Sequence, residues 1–152
     1  MAEDAEYIRR AIDLARRSRE HGNHPFGALL VAGGQIVLEA ENTVVSQDNP
    51  TLHAEMNLVQ GAWRKLPAEL IRKSTLYTST EPCPMCTGAI FWSGIRRVVF
   101  SMLARDLGEM TDDKFCGPCK ALFDRADEKT EVVGPILADE GRQVHLGFWT
   151  TA

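Results

Sequence analysis

Thr80-Glu81-Pro82-Cys83-Pro84-Met85-Cys86 is the stretch from which the rest of this chain can be read. It follows the strand-like run Ser74-Thr75-Leu76-Tyr77-Thr78-Ser79 and precedes Ala89-Ile90-Phe91-Trp92, so it marks a strand end turning into a helix. Pro84 suits the first helical position, which makes Cys83 the cap and puts Cys86 on the first turn. There, unpaired backbone N–H groups and the positive end of the helix dipole favour thiolate over thiol, the form a metal needs. Upstream, His53-Ala54-Glu55 opens a second helical run that continues to about Lys65 and stops at Pro67. It adds an imidazole, with a carboxylate two residues further on. One histidine and two cysteines are three ligands of the right softness for zinc. They leave a fourth position open, as catalytic zinc sites do, whereas structural sites are closed by four protein ligands.

Zinc lowers the pKa of a bound water toward about 7, and a nearby carboxylate that does not ligate the metal can take the proton; Glu55 is placed for that. Together, His53-Ala54-Glu55 and Pro82-Cys83-Pro84-Met85-Cys86 resemble the cytidine-deaminase-like superfamily, whose zinc enzymes pair H-x-E with P-C-x-x-C. Pro25-Phe26-Gly27-Ala28, Glu41-Asn42 and the run Tyr77 to Cys86 look most like guanine deaminases and related base deaminases. The resemblance implies an α/β fold, a three-layer α/β/α domain with a mixed sheet of about five strands. It implies a Zn2+ cofactor held by His53, Cys83 and Cys86, and Glu55 as the catalytic proton carrier between water, a ring nitrogen and departing ammonia. It also implies a homodimer. Phe26 and Asn42 become substrate-binding residues in that context, although spacing alone makes Phe26 a core aromatic and Asn42 a turn residue. Backbone N–H groups near Ala54, Glu81 or Cys83 are the candidates for holding the intermediate, with Ala54 the one counted as a substrate contact, and Trp92 either lines the pocket or packs in the core. Guanine is the favoured substrate. Cytosine, triazine-type analogues and nucleosides stay open, and adenosine editing in tRNA is the alternative.

Working outward, 152 residues suit one domain, 1–152, with a core of its own. Hydrophobic residues make up 44% and charged residues 25%, ordinary for a soluble globular chain. The net charge of −4 argues against nucleic acid as a partner; a small nucleobase or nucleoside is the partner that the resemblance implies. No apolar run is long enough to span a membrane, and Met1-Ala2-Glu3-Asp4 is unlike a signal peptide, so a cytoplasmic protein is expected. Tyr7, Ile8, Ala11, Ile12, Leu14 and Ala15 recur at helical spacing; the arginines between them are interleaved with acids and read as a solvated face. Ala28 to Ala32 and Gln35 to Ala40 flank Gly33-Gly34 and predict a hairpin. Arg96 to Ser101 predicts a fourth strand. Two β-helix-β units in succession then predict a partly parallel sheet with helices on both faces. Thr130 to Val133 adds a short strand, and a helix begins at Ala138.

Leu103 to Lys114 shows neither period and reads as an active-site loop. By resemblance to guanine deaminases, its Asp112-Asp113 pair supplies an aspartate that assists proton transfer, with Asp113 preferred. Cys116-Gly117-Pro118-Cys119 looks like a redox dithiol but follows a polar loop, so its thiols read as packing groups. A non-enzymatic alternative joins Cys83, Cys86, Cys116 and Cys119 in a closed four-sulfur structural zinc site. The chain ends without the Lys/Arg-rich tail of typical bacterial tRNA adenosine deaminases, which shifts weight toward a free base. Phe148 and Trp149 either dock on the core or cap a pocket, their own or a partner's. His21, His24 and His145 fit no motif and read as loop or surface histidines. No Gly-rich phosphate loop follows a strand, so no nucleotide cofactor is implied.

Overall fold

The computed structural model describes residues 2–113 and 115–149. In chain order they form α1 (Ala2–Glu20), β1 (Gly27–Ala32), β2 (Gln35–Glu41), α2 (Ala54–Lys65), α3 (Ala68–Arg72), β3 (Thr75–Thr80), α4 (Pro84–Ser93), β4 (Arg97–Met102), α5 (Ala104–Thr111), α6 (Cys119–Phe123), β5 (Glu131–Val133) and α7 (Ala138–Gln143). The sheet order is β2-β1-β3-β4-β5. Gly33 and Gly34, at φ 59° and 74°, turn the β1–β2 hairpin in the left-handed backbone that such a two-residue connection requires. β1 is antiparallel to both β2 and β3, while β3–β4 and β4–β5 are parallel. β2 and β3 therefore run the same way on either side of β1. The segment carrying α2 crosses over β1, and α4 crosses between β3 and β4, which makes the two expected β-helix-β units.

Every residue of β1 is buried, as are all but the first of β3 and of β4, whereas β2 at the edge is largely open. Alternate side chains feed two cores, as a two-residue period demands. Ala28, Leu30, Leu76, Val98 and Phe100 pack on α2, α3, α4 and α6 through Leu58, Ile71, Ile90 and Phe123. Leu29, Val31, Tyr77 and Val99 pack on α1 through Ile8, Ala11, Ile12 and Ala15. The result is the expected three-layer α/β/α sandwich, with both helices that start at predicted metal ligands on one face. At the start of β1 the opposite layer lies almost on the backbone. A Cβ on Gly27 would sit 2.5 Å from Ala15 N and Leu14 Cβ, so only glycine allows α1 that close.

The Asp4 carboxylate fastens α1 to the sheet by accepting from Arg97 Nη2 at 2.9 Å and from the Tyr77 hydroxyl at 2.6 Å. Arg97 first, and Tyr77 after it, hold that carboxyl at about 2. The arginines on the outer face of α1 pair with acids, Arg9 with Glu140, Arg10 with Glu39, Arg16 with Asp13 and Arg17 with Glu41. No helix among the described residues is long and apolar enough to cross a membrane.

Two expectations fail here. Leu103 to Lys114 is not a loop: residues 104–111 form α5, with Leu103 as its N-cap and Asp112 closing it in left-handed backbone at φ 58°; Lys114 lies outside the described residues. The short helix α3 was not anticipated after Pro67, which serves as its N-cap.

Candidate active site

His53 and Cys83 are the N-caps of α2 and α4, and Cys86 lies on the first turn of α4, with its N–H directed at Cys83 Sγ at 3.5 Å. Two helix N-termini thus point at one place, where unpaired N–H groups stabilise negative charge. His53 Nδ1 lies 3.6 Å from Cys83 Sγ and 3.6 Å from Cys86 Sγ, and the three ligand atoms all fall within 4.8 Å of one another. Ligands about 2.3 Å (sulfur) and 2.05 Å (nitrogen) from a shared tetrahedral centre would stand about 3.6 Å apart, so the donor set fits zinc in spacing as well as in softness. The Cys83 thiol is pulled down to about 4, by Cys86 first and His53 after it. Cys86 is pushed up, chiefly by Cys83 and by burial. Cys83 also raises His53.

Glu55 follows on the first turn of α2. It is only 6% exposed, and burial first, then Cys83, push its carboxyl up to about 7. His53, Glu55 and Cys83 share one cavity of about 280 Å³. Its aromatic wall is His24, Phe26 and Trp149. Across the strand ends, Ala104, Leu107, Gly108 and Thr111 present one stripe of α5, and Asp113, Phe115 and Cys116 complete the lining. The carboxylate of Glu81, itself buried, secures this second wall: Oε1 accepts from Ala104 N at 3.1 Å and Oε2 from Cys119 N at 2.8 Å.

The sequence-derived residues divide accordingly. His53, Cys83 and Cys86 come together, and Glu55, Phe26 and Asp113 line the cavity beside them. Asp113, rather than Asp112, is the aspartate brought to this cavity; its Oδ1 accepts from Phe115 N at 2.9 Å. Ala54, fully buried, opens α2 between His53 and Glu55. Asn42 is buried but does not line the cavity; its Oδ1 accepts from Val44 N at 3.0 Å, the role of a turn residue. Trp92 is a correction. It is 79% exposed and lines a separate groove with Phe91 and Leu122. At about 100° per residue, a position six past Cys86 has turned away from the metal ligands.

Cys116 and Cys119 do not join the ligand group, so the four-sulfur alternative loses its geometry. Cys119 is buried in the core beside Phe123, while Cys116 is exposed at the cavity. His21 lies at the surface against Glu41 as expected. His145 does not: it is 1% exposed, and burial first, with Arg19 and Arg142 adding to it, holds it at about 4. Its Nδ1 accepts from Trp149 Nε1 at 3.0 Å, which fixes the tryptophan in the cavity of its own chain. His24, lowered by burial and by His53, is the other histidine whose setting went unread. The stripe 104, 107, 108, 111 was the available signal for α5; neither histidine carried one.

Residues 1–102 match the family model of the cytidine and deoxycytidylate deaminase zinc-binding region. The chain belongs to that family. Across this deaminase family the zinc-binding region is shared, and here His53, Cys83 and Cys86 are the residues that could hold the ion. The chain is 40% identical over 153 residues to a probable cytosine deaminase of Schizosaccharomyces pombe, covering 96% of this chain and 92% of that protein. It is 37% identical over 126 residues to a guanine deaminase of Bacillus subtilis, covering 82% and 80%. Relatives named as tRNA-specific adenosine deaminases match as well. Among solved structures, one from a study of A-to-I editing by tRNA:A34 deaminases superposes with a TM-score of 0.73 at 23% identity, covering 91% of this chain and 98% of that one, a likeness of fold.

Proposed function

We propose that this protein is a zinc-dependent hydrolytic deaminase of a free nucleobase or nucleoside, with guanine as first candidate, exchanging an exocyclic amino group for a carbonyl and releasing ammonia. The observation that carries this is the meeting of His53, Cys83 and Cys86 with the buried Glu55 at one cavity of about 280 Å³. A space at the low end of the usual range for small-ligand pockets, about 300–1,000 Å³, suits a single heterocycle. Zinc, when bound, supplies a Lewis acid that lowers the pKa of water toward about 7. The chain does the rest. Glu55 takes the proton of the attacking water and delivers it to the ring nitrogen and then to the departing amine. The N-terminal amides of α2, Ala54 among them, favour the negative charge that develops beside them. Phe26 and Trp149 flank the base, and Asp113 assists proton transfer with the carboxylate oxygen that does not hold Phe115.

Guanine is supported by the relative from Bacillus subtilis and by the aromatic wall, which suits a two-ring base. Cytosine is the second reading, favoured by the nearly full-length relative from Schizosaccharomyces pombe. Transfer RNA is disfavoured by charge: Glu109, Asp112 and Asp113 outnumber Arg105 in the depression adjoining the cavity, and four arginines of α1 are paired with acids. Ammonia release by zinc-loaded protein should be measured with guanine, cytosine, a triazine analogue, their nucleosides and a tRNA stem-loop. Free bases or nucleosides should turn over best. Faster reaction of the stem-loop, or no ammonia from any base or nucleoside, would overturn the proposal.

The same proposal includes a homodimer in a reducing, cytoplasmic setting. All four cysteines are unpaired, which fits such a compartment. Trp92 and Leu122 leave an apolar strip on the outer layer for a second copy to cover. Equilibrium sedimentation should return twice the chain mass of 16.9 kDa; a monomer at every concentration would remove the dimer.

A further inference from the structure

We propose that His24 determines specificity by donating a hydrogen bond from its imidazole to an exocyclic carbonyl of the heterocycle, away from the amino-bearing carbon. The inference rests on the base-deaminase function proposed above. His24 lines the cavity that His53 and Glu55 share. Its backbone is fixed, because its carbonyl accepts from Ser18 Oγ at 2.7 Å and from Phe26 N at 2.8 Å. Its ring is fixed too: Phe148 meets it edge-on at 6.1 Å and Trp149 lies against it at 5.4 Å. Trp149 is in turn held by the hydrogen bond to His145 and by a stacked contact at 16° between those two rings.

The ring of His24 makes no hydrogen bond among the described residues. Of the polar groups near it, Glu81 is held by two backbone amides, one oxygen of Asp113 by Phe115, and the Nδ1 of His145 by Trp149, whereas Thr80 Oγ1, which also lines the cavity, has no partner among the described residues. A neutral imidazole offers one donor and one acceptor, and here both are left for whatever fills the cavity. The reacting carbon has to sit at Glu55 and the metal ligands, none of which His24 bonds. His24 therefore meets another atom of the base. Cytosine and guanine both carry a carbonyl away from the amino-bearing carbon, and a donor held on a rigid aromatic wall favours such a base over its counterpart without the oxygen. A site built to hydrogen-bond a substrate group discriminates strongly against analogues that lack it.

The test compares His24→Phe and His24→Gln with the parent on guanine against 2-aminopurine and on cytosine against 4-aminopyrimidine. Affinity is also read by equilibrium dialysis in a Glu55→Ala background, where no turnover intervenes. Zinc content and far-UV circular dichroism confirm that each variant is loaded and folded. His24→Phe keeps an aromatic ring against Trp149 and should raise KM for the carbonyl-bearing base about 10- to 100-fold with kcat changed less than about 3-fold. The deoxo analogue should be little affected, so that discrimination collapses, and His24→Gln should recover part of it. Equal losses on both members of a pair, or no change in either, would overturn the role of His24 while leaving the deaminase proposal standing. A parent protein that neither binds nor deaminates any of these bases would overturn the function itself, and His24's role with it.

Discussion

A Glu55→Ala protein should keep one zinc per chain and release ammonia at least about 10³-fold more slowly than the parent, near the upper end of what a positioned general acid–base contributes. Glu55 sits two residues past His53 on the first turn of α2 and is not one of the three ligand atoms that converge. Its removal therefore leaves the metal site intact while deleting the group that carries protons between water, ring and leaving amine. The substitution also deletes a buried carboxyl rather than a packed hydrocarbon, so its effect on stability should be small. Zinc by atomic absorption and ammonia by a coupled assay are sufficient measurements. Turnover near the parent's would count against Glu55 as the proton carrier, and loss of zinc would mean that the carboxylate helps to hold the ion.

The second large effect is a contrast between the two Cys-x-x-Cys pairs. Cys86→Ala should lose zinc and all measurable activity, since it leaves two protein ligands on a site that needs three plus an open position. The Cys116→Ser, Cys119→Ser double variant should bind zinc as the parent does. Cys119 is buried beside Phe123, so a hydroxyl there costs about 1–3 kcal/mol of stability, which a lowered Tm would report without any change in metal content. Zinc lost from the double variant and retained without His53 would restore the four-sulfur structural site and end the catalytic interpretation.

The parts of this molecule that were legible in its sequence are those whose chemistry is local. Cys83, Pro84 and Cys86 mark a helix start by rules that need no distant partner, and Gly33-Gly34 marks a hairpin in the same way. Strands alternating with helices were enough to foresee a partly parallel sheet with helices on both faces, while the mixed five-stranded form rested on the family resemblance. What stayed hidden depended on packing between distant segments. α5 was obscured because its stripe of Ala104, Leu107, Gly108 and Thr111 faces a cavity instead of a core and offers a single large apolar residue, Leu107, too few to reveal a helix. His145 is buried because the segment that carries it docks beside Phe26, a contact between residues far apart in the sequence. Trp92 was misplaced because its helix was assigned without a phase, and the phase turned it outward.

Glu81 has a consequence for how anything reaches the metal ligands. The second wall of the cavity comes from α5 and the segment after it, and the starts of α5 and of the next helix, α6, are held by the two oxygens of one carboxylate. One acidic side chain just past β3 therefore ties the lining beside the metal ligands to the sheet at two backbone amides, so its loss would free both at once.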